Sequence, residues 1–154
     1  TASYNKFIKA MIDNDLEIMN YYMNRVTQET FSYFDVGSVE AGLEETERFY
    51  HGFVLGLMAE QAENYVLKSN RESGFGRYDV MMIPKKENLP AIIMEFKVRR
   101  AKEKDLNETV QMALQQIEEK NYDAELLSLG IAKERIRHYG FAFRGKKVLI
   151  GTEE

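Results

Sequence analysis

Three charged residues stand where a strand interior would carry none: Asp79, Glu95 and Lys97, within the stretch Gly74 to Arg99, GFGRYDVMMIPKKENLPAIIMEFKVR. The segments Arg77 to Ile83 and Ala91 to Val98 are otherwise mostly apolar, as in strands covered on both faces. The intervening Pro84-Lys85-Lys86-Glu87-Asn88-Leu89-Pro90 is polar and bounded by prolines, which fits a hairpin reversal. A hairpin symmetric about Glu87 sets Asp79 opposite Glu95, with Cβ atoms about 4.5–5.5 Å apart. Like charges at that spacing repel, and burying them uncompensated is costly, so a cation is expected between them.

Side chains alternate along a strand, so Glu95 and Lys97 share one face while Met94, Phe96 and Val98 use the other. Two carboxylates at the bonding distance of a hard cation, with an ammonium one step along the strand, suit a Mg²⁺ or Mn²⁺ site. Such a site keeps several waters and accepts a phosphate oxygen. The competing reading is an internal ion pair of Lys97 with one carboxylate, which leaves the second acid unexplained.

Asp79 followed by Glu95-Phe96-Lys97 across a hairpin resembles the signature of the PD-(D/E)xK nuclease superfamily. The longer wording, NRESGFGRYDVMMIPK and then AIIMEFKV, is similar to the nuclease-like domain at the C-terminus of certain bacterial AAA-ATPase-like proteins. That similarity extends from about Tyr33 to Ile150. The resemblance implies a restriction-endonuclease-like α/β core, a mixed central sheet of about 4–5 strands flanked by helices, with an N-terminal helical extension. Residues 1–30 are then a helical segment, readable as the tail of an upstream domain, and 31–154 the nuclease-like domain. The resemblance further implies a Mg²⁺-dependent nuclease acting on nucleic acid, with DNA the expected substrate. Asp79 and Glu95 would hold the metal, Glu47 would be a third carboxylate, and Lys97 would position water or stabilise transition-state charge. Gln116, in QIEEKNY, matches the glutamine that superfamily members place near the active site. An upstream ATPase domain and a homodimer are further implications; no GxxxxGK[ST] loop occurs in this chain. The alternative is a nuclease-fold module, weak or inactive in catalysis, that binds nucleic acid or a partner beside an ATPase domain.

The rest of the chain must position these residues. Its 154 residues, 44% hydrophobic and 30% charged, suffice for one domain with a core. Absence of cysteine excludes disulfides and thiolate metal sites, and His51 and His138 lie too far apart in sequence to suggest an imidazole zinc site. No run is long enough to span a bilayer and no signal-peptide pattern opens the chain, so no membrane partner is expected and the cytoplasm is the expected compartment. A net charge of −4 argues against a generally basic coat. Local basic clusters remain, at Lys97 to Lys104 and Lys133 to Lys147. Arg99 and Arg100 in the first cluster, with Arg71 and Arg77 beside the Gly74-Phe75-Gly76 turn, are candidates for phosphate contact; solvated surface is the plainer alternative.

Helical periodicity covers Ser3 to about Gln28, broken at Asp13-Asn14-Asp15, and its apolar stripes offer a surface for a partner. A helix from about Ser38 to Met58 follows, with Leu43, Tyr50, Val54 and Leu57 as its stripe and Glu47 in the middle. Glu47 either faces a metal or pairs with Arg48 or His51. Gly52 and Gly56 suggest a close backbone approach. After a strand at Glu63 to Ser69 and the central hairpin, Asp105-Leu106-Asn107-Glu108 opens a helix running to about Asn121. A short helix ends at Gly130, and Arg137 to Phe143 turns at Gly145-Lys146 into Val148 to Ile150.

Overall fold

A computed structural model describes residues 2–31, 39–72 and 77–153, with side chains for 5–29, 47–70 and 78–153. Ser38, the Gly74-Phe75-Gly76 turn and the side chains of Leu43, Arg71 and Arg77 lie outside the described residues. The helices are α1 (Ala2–Ile12), α2 (Leu16–Phe31), α3 (Val39–Gln61), α4 (Leu106–Lys120) and α5 (Tyr122–Ser128). The strands are β1 (Tyr65–Glu72), β2 (Arg77–Pro84), β3 (Ala91–Val98), β4 (Ile136–Arg144) and β5 (Lys147–Thr152). They form one five-stranded sheet in the order β1-β2-β3-β4-β5. Each neighbouring pair is antiparallel except β3 and β4, which are parallel and joined across the sheet by α4 and α5. A parallel connection needs such a crossover, whereas the other pairs turn back directly.

Period-two alternation gives the sheet two buried faces. Tyr78, Val80, Ile92, Met94, Phe96, Phe141 and Phe143 face α1, α2 and α3 in the larger core. There Phe96 and Phe141 stack at 4.6 Å, and Phe7 meets Phe53 edge to face at 5.7 Å. Met81, Ala91, Ile93 and Ala142 face α4 and α5, packing with Val110, Leu114, Ile117 and Leu126. The α/β architecture expected from the sequence is therefore present, as helices, sheet and helices in three layers.

Most of the apolar stripe residues of the N-terminal helices are covered within the fold, while Ile18, Tyr21 and Val26 of α2 stay exposed. Phe7, Ile8, Met11, Met19 and Met23 are buried in the larger core, because the aromatic face of the sheet would otherwise lie open to water. The break between α1 and α2 is held by Asn14, at φ 58°, whose side-chain oxygen accepts from the Tyr139 hydroxyl at 2.7 Å. Asp15 then caps α2 by accepting from the Ile18 amide at 3.2 Å. Gly52 also departs from expectation: a Cβ there would meet nothing within 4 Å, so it marks no close backbone approach.

Along β5, α2 covers an edge that would otherwise expose unpaired main-chain groups. The Asn20 amide donates to Ile150 O at 3.0 Å and its oxygen accepts from Ile150 N at 2.8 Å. Asn24 repeats the exchange with Val148, at 2.8 and 3.0 Å, and Thr27 Oγ1 donates to Lys146 O at 2.7 Å. Helix turns and alternate strand residues advance by nearly the same distance, so the side-chain ladder stays in step with the strand. Asn24→Ala removes a donor and an acceptor from a part-buried edge, and the expected loss is about 2 kcal/mol in urea denaturation, with an unchanged m-value.

His138 on β4 ties α5 to the C-terminal end of the sheet. Its Nε2 lies 2.6 Å from Asp123 Oδ1 and its Nδ1 2.9 Å from Glu153 Oε1. Burial opposes the imidazolium, but the two carboxylates outweigh it and raise the His138 pKa above the ordinary value of 6.5. The stabilisation is thus complete below the ordinary histidine range and is lost as pH rises through the raised pKa. Urea stability is expected to fall across that window in the wild type, and to fall less in His138→Gln.

Candidate active site

The two central acids meet as the sequence pattern requires. Asp79 and Glu95 are register partners on β2 and β3, and are only 3% and 0% exposed. Their row continues to Asn70 on one side and to Gly140 and Gly151 on the other, on the sheet face covered by α4. The glycines set how closely that helix approaches. A Cβ on Gly140 would lie 2.8 Å from the Val110 carbonyl oxygen, and one on Gly151 2.6 Å from Val110 Cγ1. With α4 pressed down at its first turns, its last residue reaches the acids.

That residue is Lys120, whose Nζ lies 3.1 Å from Asp79 Oδ2 and 3.6 Å from Glu95 Oε1. Asp105 caps the start of α4 by accepting from Glu108 N at 2.9 Å, while Glu108 Oε2 accepts from Lys104 N at 2.9 Å. At the far end Asn121, at φ 52°, turns the chain so that Tyr122 also faces the site. The Tyr122 hydroxyl donates to Asp79 Oδ2 at 2.8 Å, and Asn70 Nδ2 donates to Oδ1 at 3.3 Å. From the opposite face, the Tyr50 hydroxyl of α3 donates to the Asp79 main-chain oxygen at 2.6 Å. Burial works against a charged Lys120, yet Glu95 and Asp79 raise its pKa well above the ordinary range. Burial, and then the hydrogen bond to Asp79, push the Tyr122 phenol up to about 12.

Lys97 has a different partner from the one its strand face suggested. Its Nζ lies 2.8 Å from Glu103 Oε2, in a pair that is almost wholly buried. Glu103 Oε1 also accepts from Thr109 Oγ1 at 2.7 Å and from Arg100 N at 3.3 Å. Burial alone would raise the Glu103 carboxyl, but Lys97, Thr109 and the Arg100 amide outweigh it and lower the pKa below the ordinary value. The internal ion pair weighed for Lys97 therefore forms, but with an acid from the loop before α4.

Glu47 sits on α3 with its side chain one-third exposed and its Oε1 3.7 Å from His51 Nε2. Gln116 is half-buried one helical turn before Lys120. Arg99 donates to Lys104 O at 3.3 Å, and Arg100 is exposed just beyond β3. Sequence reasoning missed Lys120, Tyr122, Tyr50 and Glu103. A signal existed for the first: the acid pair demanded a cation, and Lys120 ends the helix that crosses from β3 to β4. Tyr50 and Glu103 read as an ordinary core aromatic and a surface acid.

Among the described residues no group of three or more His, Cys, Asp or Glu is arranged to hold a metal ion. The central donors are instead two hard carboxylates, opposed and already sharing one ammonium. With all five groups ionised, Asp79, Glu95 and Glu103 outnumber Lys97 and Lys120, which leaves a net negative charge inside the fold. Mg²⁺ commonly uses one or two carboxylates and fills its remaining positions with water and phosphate, so the donor set fits that ion.

A mixed five-stranded sheet between helical layers, with its acid pair on the central antiparallel strands, is a restriction-endonuclease-like α/β core. The family model of the PD-(D/E)XK nuclease superfamily matches residues 45–153, which include every site residue described above. The chain belongs to that superfamily. No curated protein matches it.

Removing Lys97 leaves Glu103 buried without its cation. Lys97→Met is expected to cost roughly 3–5 kcal/mol in chemical denaturation, and adding Glu103→Gln to recover most of it. Two additive losses would show that the pair is not coupled.

Proposed function

We propose that this protein hydrolyses phosphodiester bonds of DNA, using Mg²⁺ or Mn²⁺ held by Asp79 and Glu95. The observation that carries this reading is the buried acid pair, opposed across β2 and β3 and already sharing a cation, in a chain of a nuclease superfamily. A divalent ion bound there supplies a polarised phosphate oxygen and a water of lowered pKa. Asn70, Tyr122 and Tyr50 fix Asp79, the first two through its carboxylate and the third through its main-chain oxygen. Lys97, anchored by Glu103, is a fixed positive charge beside Glu95 that favours negative charge developing on the phosphate. Glu47 is the third carboxylate, direct or through water, and Gln116 contacts substrate from α4. Arg71, Arg77, Arg99 and Arg100 are the candidates for contact with the DNA backbone on an acidic body. The resemblance to domains that follow an ATPase supports such a domain upstream in the full-length protein.

A second reading, a module that binds nucleic acid or a partner without cutting it, is favoured by one observation. Lys120 and Glu103 give the buried charges protein partners, so the interior does not depend on a metal. Labelled single- and double-stranded DNA, incubated with wild type, Asp79→Asn and Glu95→Gln across a Mg²⁺ and Mn²⁺ titration, separates the two. Cleavage that needs the cation and falls roughly 100-fold or more in both variants is expected. DNA binding without cleavage at any cation concentration would favour the module.

A further inference from the structure

Both oxygens of the Asp79 carboxylate are engaged. Oδ2 accepts from Lys120 at 3.1 Å and from Tyr122 at 2.8 Å, and Oδ1 accepts from Asn70 at 3.3 Å. The Lys120 ammonium also stands 3.6 Å from Glu95, so it occupies the space between the two acids that a divalent cation would need. Two cations at that separation repel strongly in so buried a place, and a metal ion cannot simply be added. One group must leave. The Lys120 side chain is 19% exposed, against 5% for Asp79 and 0% for Glu95, so it is the group with a route outward. Its flexible four-carbon stem lets the ammonium move while α4 stays seated on Gly140 and Gly151.

We propose that Lys120 is an exchangeable counter-ion that neutralises Asp79 and Glu95 until a divalent cation takes both carboxylates, and then swings to the rim to meet a DNA phosphate. This inference rests on the nuclease reading above. It makes the cation bind weakly to the protein alone and more tightly in the presence of DNA, because the phosphate stabilises the released ammonium. By linkage, the cation strengthens DNA binding by the same factor. Idle protein is thereby protected from holding a charged metal without substrate.

The test is calorimetric titration of Mn²⁺ into the full chain as wild type, Lys120→Met and Lys120→Gln, with and without a nuclease-resistant phosphorothioate oligonucleotide. Lys120→Gln keeps a donor for Asp79 and carries the comparison if Lys120→Met fails to fold. Without oligonucleotide, the variants are expected to bind Mn²⁺ at least about tenfold tighter than wild type. Oligonucleotide is expected to tighten Mn²⁺ binding several-fold more in wild type than in the variants, which keep only the direct contact of the ion with phosphate. Metal-free variants are expected to melt below wild type and to gain more from Mn²⁺ in thermal scans. Variants that bind while wild type does not would support the exchange in its strongest form. Equal or weaker binding by the variants, with wild type binding, overturns the exchange and leaves the nuclease reading standing. No binding by any of the three proteins overturns both.

Discussion

Two carboxylates that face each other across the centre of an apolar sheet set the terms for the rest of this fold. Asp79 and Glu95 are register partners with almost no exposure, and apolar packing cannot stabilise them. Their environment is organised accordingly. Paired glycines on β4 and β5 admit α4 to the sheet, the left-handed Asn121 turns the chain at its end, and Lys120 and Tyr122 arrive together at Asp79. Tyr50 secures the same residue from the opposite layer. The sheet gives up hydrophobic burial at this pair, and the charges are met by partners from other elements.

The same electrostatic demand is met a second time, a few ångströms along β3. Lys97 would be a buried ammonium without Glu103, and Glu103 would be a buried carboxylate without Lys97, Thr109 and the Arg100 amide. The loop between β3 and α4 is thereby fastened to the strand that bears Glu95. Strand, loop and helix form one electrostatic unit, in which each charge lies on a different segment from its partner. Substitution of a single member affects both folding and the geometry around the acids, so activity losses have to be weighed against stability.

Much of this was legible in the sequence, because strand patterning is a local property. The apolar runs around Asp79 and Glu95 and the proline-bounded turn gave the register, and alternation gave the face that Glu95 and Lys97 share. The capping box at Asp105 gave the start of α4. What escaped was the identity of the partners across long separations. Lys120 follows Asp79 by 41 positions, and no periodicity links them. Glu103 follows Lys97 by only 6 positions, yet a loop acid in a charged run looks like surface. The apolar stripes of α1 and α2 were visible, but not what they would cover; only the three-layer arrangement shows that the aromatic face of the sheet takes them. Asn20 and Asn24 likewise look like ordinary helix-surface residues until β5 lies beside them.

The central claim is that the Asp79–Glu95 pair is a site for a divalent cation, and it can be tested by looking there. Crystals grown with MnCl₂ and a nuclease-resistant phosphorothioate oligonucleotide, and measured at a wavelength where manganese scatters anomalously, give a direct map of the ion. A divalent-cation site shows an anomalous peak between the two carboxylates, with the Lys120 ammonium withdrawn from Asp79. A map without a peak there at millimolar Mn²⁺, with Lys120 still bridging both acids, would contradict it and leave the pair as a buried structural bridge.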